Sequence, residues 1–433
     1  MKLKTLHLTN AWHAASGGIS TFYRALIEAA ERHGHPLRMV IPGEEDRTEE
    51  GRHVRIHHVK APRAPLNPAY RMIMPQSFLK PNSRIARILR EERPDVVEIC
   101  DKYTLQYLGG LLRERWVRDF RLRPTVVGLS CERMDENFNA YLFRGLGGRA
   151  FVRAYMKWLY FPMFDHHITV SRHTAGELEV AARGHKVRRG VWVEPMGVDF
   201  DRFSPARRDP AKRRALAQSA GGDGDSVLIL YAGRLAVEKN VGLLPAMMER
   251  LPANYRLVIA GSGTLRDELE KQAGTRAPGR VRFLGHVDGR DALADLYANS
   301  DLFVHPNPAE PFGIAPLEAM ASGLPLVAPH SGGLTAYASP ENAWLVEPTA
   351  QAFAEAVMQA DADCEARARR TAAARATARH YRWESVTERF FLLYEELHML
   401  TRGSRREPEI APAFYSTLGD YWGREVARTW PVL

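Results

Sequence analysis

Four side chains of this sequence could do polar chemistry together. Glu310 and Glu318 stand eight residues apart, and upstream Arg234 and Lys239 stand five apart behind the apolar run 227–232. On a single helix the two glutamates would lie about 12 Å apart along the axis, too far to share a small ligand. Pro311 and Gly313 fall between them and break such a helix. Glu310 is therefore expected on the loop that leaves a buried strand at 301–304. Glu318 is expected in the first turn of a helix with body 317–321, with Pro316 near its start and Gly323 as its left-handed cap. The free amides of Gly313, Ile314 and Ala315 would then lie between the two acids. A helix start with free amides favours phosphate, and an acid beside it favours sugar hydroxyls. Arg234 can grip a diphosphate through two donors while Lys239 acts as a point charge.

The string from Glu310 through Phe312, Gly313, Ile314, Ala315, Glu318 and Gly323 to Val327 resembles the signature of the retaining glycosyltransferases of family 4. That resemblance implies an α/β chain with the GT-B fold, two facing Rossmann-like domains and a C-terminal helix crossing back to the first. It implies a nucleotide-diphosphate sugar donor, whose sugar hydroxyls meet Glu310 and whose ribose is held by Glu318. Phe312, Gly313, Ile314 and Ala315 join the donor site by the same match. Arg234 and Lys239 match the family's diphosphate clamp, and Gly17-Gly18, where a first strand turns into a helix, match its phosphate-approach loop. By this match the catalytic residues are Glu310, Arg234 and Lys239.

Composition sets limits around this. At 433 residues the chain suits two domains. We place the boundary in the stretch 194–203, which resembles the family's crossing segment. Residues 1–197 form the acceptor-side domain, joined by 381–433, and 198–380 the nucleotide-sugar domain. Three widely spaced cysteines, Cys100, Cys131 and Cys364, point to neither a disulfide framework nor a zinc knuckle. No apolar run reaches signal-peptide or membrane-span length, so a cytoplasmic protein is expected, peripheral at the inner face of the membrane if bound there. The formal charge of +9 implies anionic partners. Nucleic acid rests on that charge alone, without a recognition motif, and is set aside.

In chain order, strands are expected at 4–8, 37–41, 94–101, 125–129 and 166–171, and the polar, proline-rich span 43–80 as a mobile excursion. Asp101, Cys131, Glu132 and Arg133, each at or just after a strand's carboxyl end, are candidates for the acceptor and sugar side. The family commonly carries a histidine where Cys131 stands, and a thiol cannot supply a cation at neutral pH, so Glu132 or Arg133 would take over that role. Adjacent His166 and His167 on a strand point to opposite faces and read as packing rather than metal ligands. An alanine- and arginine-rich helix is expected over 353–378, then a final helix from 381. Residues 401–433 lie outside the resemblance.

The reaction so implied moves a hexosyl unit to an acceptor hydroxyl with retention, without cofactor or metal, fixed positive charge stabilising the leaving diphosphate. The acceptor is open to a lipid or lipid-linked glycan of cell-envelope or polysaccharide synthesis. The stretch 137–164 interleaves Arg144, Arg149, Arg153 and Lys157 with large aromatics, which suits either a helix on an anionic membrane surface or a core-packed helix with a solvated basic face. A nucleotide-sugar epimerase of the same fold and a non-enzymatic anion-binding module are the alternatives. Phosphate-facing elements in both halves imply closure on the donor. Small-angle scattering with saturating nucleoside diphosphate should show compaction, and an unchanged profile would reject closure.

Overall fold

A computed structural model describes the chain apart from residues 1, 14–16, 65–69, 81, 117–122, 137–145, 184–189, 404–413 and 417–433. It divides into two compact units, one of Met1–Pro195 with Val386–Leu433 and the other of Met196–Ser385.

The first unit is built on strands β1 (Thr5–Thr9), β2 (Leu37–Gly43), β3 (Arg47–Glu50), β4 (Val54–Lys60), β5 (Val96–Cys100), β6 (Thr125–Ser130), β7 (His166–Thr169) and β8 (Val191–Val193). Their order is β8-β7-β6-β5-β1-β2-β4-β3, with the strand Phe414–Ser416 outside β8. Every pair is parallel except β3 with β4. The central strands are buried along their whole length, as a parallel sheet covered on both faces requires. Leu6, Leu8, Val97 and Ile99 pack there with Ile85, Ile88 and Leu89 of the helix Arg84–Glu92. The chain winds outward from β1 to β2 and then returns to β5, so the strand order reverses between β1 and β5.

The span expected as a mobile excursion instead supplies β3 and β4. Its apolar content is low because β3 is an edge strand, mostly exposed, and because β4 buries two histidines. His57 accepts or donates with Thr48 Oγ1 at 3.1 Å, and His58 meets Glu49 at 2.9 Å. These cross-strand polar pairs hold the ladder without an apolar alternation that a sequence pattern would show.

The second unit carries β9 (Val227–Ala232), β10 (Tyr255–Ala260), β11 (Val281–Gly285), β12 (Leu302–Val304), β13 (Leu326–Pro329) and β14 (Trp344–Val346), all parallel, in the order β11-β10-β9-β12-β13-β14. Here the order reverses between β9 and β12. Loops leaving the carboxyl ends of two such strands part in opposite directions and open a crevice for a ligand. The alanine- and arginine-rich span is two helices, Ala350–Ala362 and Cys364–His380, because Asp363 stops the first and caps the second by accepting from the Ala366 amide at 2.8 Å.

The last helix, Trp383–Gly403, begins in the second unit and from Val386 belongs to the first. There Phe390 packs on Phe22 and Phe391 stacks on His35. Tyr394 donates to Glu98 on β5, a carboxylate with no exposed surface that also accepts from Tyr23 at 2.8 Å and meets His7 Nδ1 at 3.0 Å. A buried carboxylate is tolerable only when such donors replace water. Adjacent His166 and His167 are both buried as packing groups, His167 stacked on Phe161 and His166 at 3.0 Å from Thr401. Glu98→Ala should lower stability by roughly 3 kcal/mol, since it strands three buried partners of the carboxylate. Urea unfolding followed by tryptophan fluorescence measures this, and a change below about 0.5 kcal/mol would show that the network contributes little.

Candidate active site

The reversal between β9 and β12 brings Lys239 and Glu310 together. After β9 the chain forms the short helical turn Val237–Lys239, closed by Asn240 in the left-handed region at φ 53°. Asn240 Nδ2 donates to Pro306 O at 3.0 Å, which ties this loop to the one that follows β12. Lys239 Nζ then lies 2.7 Å from Glu310 Oε2. The same oxygen accepts from Asn307 Nδ2 at 2.9 Å and lies 3.2 Å from His305 Nε2. Burial alone would raise the pKa of Glu310, but the Lys239 ammonium and His305 outweigh it and hold the carboxyl well below the usual carboxylate range. These partners favour the ionised form of Glu310, and among the described residues its side-chain contacts all fall on Oε2.

Glycines shape the loop around it. Gly313 has φ 91°, and a Cβ there would sit 2.9 Å from the Tyr337 hydroxyl and 3.2 Å from Glu310 Cγ. Tyr337 donates to the Gly313 carbonyl at 2.6 Å, which fixes the turn. At Gly333 a Cβ would meet the Pro311 carbonyl at 1.9 Å, so the following loop closes against the first only through a glycine. The helix Ile314–Ala321 starts at Gly313 with no side-chain cap. Its first amides are left to a ligand or to water. Phe312 is buried against Tyr337.

Glu318 falls in the second turn of this helix, not the first, because the helix begins at Ile314 ahead of Pro316. Its side chain is buried, 3.4 Å from the guanidinium of Arg290. Burial pushes its pKa up to about 7, and Arg290 offsets that only in part. Arg290 also lies over the Phe203 ring and 3.9 Å from Asp199. The two acids are therefore held in opposite states of readiness, one fixed as an anion and one poised near neutral pH.

Arg234 is half-exposed and pairs with Glu238 at 3.0 Å. Such a surface pair is worth only about 0–1 kcal/mol, so a diphosphate can displace it. In the first unit Gly17 (φ 59°) and Gly18 open the helix Gly18–His33, both exposed, with open space where a Gly17 Cβ would stand. This is an accessible helix start without a side-chain cap.

The acceptor-side candidates have structural duties. Asp101 Oδ1 accepts from the amides of Tyr103, Thr104 and Leu105, just ahead of the helix Gln106–Arg113, while Oδ2 accepts from Asn10. Arg133 makes a two-pronged bond to Asp135 at 3.0 and 2.7 Å and donates to His173 O. A guanidinium so engaged keeps its charge but is already paired with a neighbouring carboxylate. The Glu132 carboxylate lies 3.4 Å from the Tyr103 hydroxyl. Cys131 Sγ lies 3.9 Å from Cys100 Sγ, and that neighbour together with burial raises its pKa, so the thiol is neutral. Among the described residues no group of three His, Cys, Asp or Glu is placed to hold a metal ion.

Sequence reasoning missed Arg290, Asn307, His305 and Tyr337. Asn307 and His305 stand in the same loop as Glu310 and could have been read from it. Arg290 and Tyr337 come from distant helical segments and carry no local signal.

Residues 212–377 match the model of glycosyl transferases group 1, and residues 16–202 that of glycosyltransferase family 4. A GDP-mannose-dependent alpha-(1-6)-phosphatidylinositol dimannoside mannosyltransferase of Mycobacterium tuberculosis is 30% identical over 390 residues, 86% of this chain and 92% of that protein. The chain belongs to glycosyltransferase family 4. Sucrose-phosphate synthase of Thermosynechococcus elongatus superposes with a TM-score of 0.74 at 21% identity, covering 92% of this chain and 99% of that one. Anabaena HepE, crystallised with UDP and glucose, superposes at 0.66 and 17% identity over 91% of this chain and 99% of that one. The fold of this family 4 glycosyltransferase is GT-B.

The raised pKa of Glu318 has a signed consequence. The folded state holds the proton more tightly than the unfolded one, so this contribution to stability is full below the ordinary value of 4.5 and lost as pH rises through about 7. Glu318→Gln should therefore be more stable than the parent by about 1–3 kcal/mol at pH 8, with the difference vanishing towards pH 4.5. Unfolding midpoints of both proteins across that range test it, and a constant difference would show that Glu318 does not hold a proton.

Proposed function

We propose that this family 4 enzyme is a retaining hexosyltransferase that moves the sugar of a nucleotide-diphosphate donor to a hydroxyl of a lipid or lipid-linked glycan. The observation that carries the reading is the buried Glu310 clasped by Lys239, His305 and Asn307 beside an uncapped helix start. A fixed carboxylate cannot act as a general acid. It can accept hydrogen bonds from sugar hydroxyls through Oε1 and face positive charge that develops at the anomeric carbon.

In this reaction the bond between the anomeric carbon and the diphosphate oxygen breaks, and the acceptor oxygen bonds to the same face of that carbon. The acceptor's proton passes to the leaving phosphate oxygen. Arg234, Lys239 and the amides of Gly313, Ile314 and Ala315 neutralise the departing diphosphate. This charge does the work without a metal ion or cofactor. Ionised Glu318 accepts from the ribose hydroxyls, and these donors favour release of its proton to water. The relative named for GDP-mannose makes that donor the first to test. That relative's name supports the lipid acceptor, and with it the reading of a cytoplasmic enzyme peripheral at the membrane's inner face.

Incubation with GDP-mannose, UDP-glucose and ADP-glucose, each with and without lipid extract, should release nucleoside diphosphate from one donor and give a product with the donor's anomeric configuration by NMR. Release of an epimer instead would identify an epimerase, and no turnover with any donor would favour a binding module. Arg234→Ala and Lys239→Ala should each lower the transfer rate on the order of 10²-fold, since each removes a charge-assisted contact to the leaving group. Unchanged rates for both would reject the clamp.

A further inference from the structure

The helix Leu146–Tyr155 continues into a π-helical turn, Met156–Tyr160, and its apolar side chains part onto two sides. Val152, Met156 and Tyr160 are at most 1% exposed and belong to the core of the first unit. Phe151, Trp158 and Leu159 are 56%, 61% and 45% exposed. Of the two expectations, a helix on an anionic membrane surface or a core-packed helix with a solvated basic face, the described residues show a core-packed face and, outside it, exposed large apolar groups. Arg144, Tyr141 and their neighbours at 137–145, and the side chain of Arg149, lie outside the described residues.

The wider turn of a π-helix lets Trp158 and Leu159 both reach the outer side. Phe151 stacks at 6.4 Å on Tyr155, whose hydroxyl turns inward to Lys102 O at 2.8 Å, and the Lys157 ammonium lies 4.9 Å from the centre of the Trp158 ring. Arg153 on the same helix is exposed. An indole and two further large apolar groups on one short surface are a feature that water disfavours. Charge identifies the occupant. Residues 137–164 contain Arg144, Arg149, Arg153 and Lys157 and no Asp or Glu. A second copy of this chain would bring the same basic stretch and repel it.

We propose that this face docks the enzyme on an anionic lipid bilayer, with Phe151, Trp158 and Leu159 entering the boundary between headgroups and acyl chains. Arg153 and Lys157 face the anionic headgroups, where each basic residue contributes about 1 kcal/mol. The inference deepens the lipid-acceptor reading above but is tested without the transfer reaction, so that either can fail alone.

The full chain would be sedimented with phosphatidylcholine vesicles, with and without phosphatidylglycerol, at low and high salt. It should bind the anionic vesicles, less at high salt, and the neutral ones weakly. Arg153→Gln and Lys157→Gln should each lower binding about fivefold at low salt, the equivalent of about 1 kcal/mol. Trp158→Ser with Leu159→Ser should lower it tenfold or more, with nucleoside diphosphate affinity and unfolding midpoint unchanged. Should the double variant fold poorly, brominated lipid decides: it should quench the parent's tryptophan fluorescence more than that of Trp158→Phe. Failure of the parent to bind anionic vesicles at low salt would overturn the proposal. So would undiminished binding by both glutamine variants and the double variant, or a self-associating parent whose dimer, not its vesicle binding, is lost on changing Trp158 and Leu159.

Discussion

A carboxylate cannot be taken out of water without compensation, and the second unit is organised around providing it for Glu310. Transfer of an isolated anion into a protein interior costs several kcal/mol even after relaxation. Lys239, Asn307 and His305 supply the return, and they come from two loops that follow different strands. Asn240 joins those loops by its bond to Pro306. The left-handed turns at Asn240 and Gly313 are the backbone cost of bringing the pieces so close, and side-chain bonds from Asn240 and Tyr337 hold them.

Glu318 shows the other outcome of the same physics. It is as buried as Glu310, but its one cation, Arg290, lies at 3.4 Å and is shared with Asp199 and the Phe203 ring. The compensation is weaker and the carboxyl drifts towards neutrality. Two glutamates eight positions apart on one loop-helix unit therefore differ in protonation because of partners supplied by other segments. In the first unit Glu98 is handled in a third way, with hydroxyl and imidazole partners, and this turns a buried acid into the fastening for the last helix.

Much of the site was legible because it is local. The prolines and glycines from Pro306 to Gly323 interrupt any continuous helix, and the acids and free amides between them are set by spacing. The family signature added roles to positions that chemistry had already marked. For the acceptor-side candidates, picked as polar groups at strand ends, the fold adds local partners: Asp101 accepts from the Thr104 amide and Arg133 pairs with Asp135. Strand-end polarity alone does not separate a ligand-facing group from a cap, since the partner that claims the side chain sits within a few residues in an unpredictable rotamer.

The amino-acid sequence by itself determined the alternation of buried strands with helices, the loop-helix unit of Glu310 and Glu318, and the acid-free basic character of residues 137–164, because each depends on neighbours along the chain. Only the tertiary structure decided which charges meet. The reversal of strand order between β9 and β12 pairs Lys239 with Glu310 across seventy-one positions of sequence, and the route of Arg290 to Glu318 sets that acid's proton affinity. It also decided that β3 and β4 are sheet, and that Val152 faces the core while Trp158 faces outward. Burial and electrostatic compensation are properties of surroundings assembled from distant segments, and no stretch of chain carries them alone.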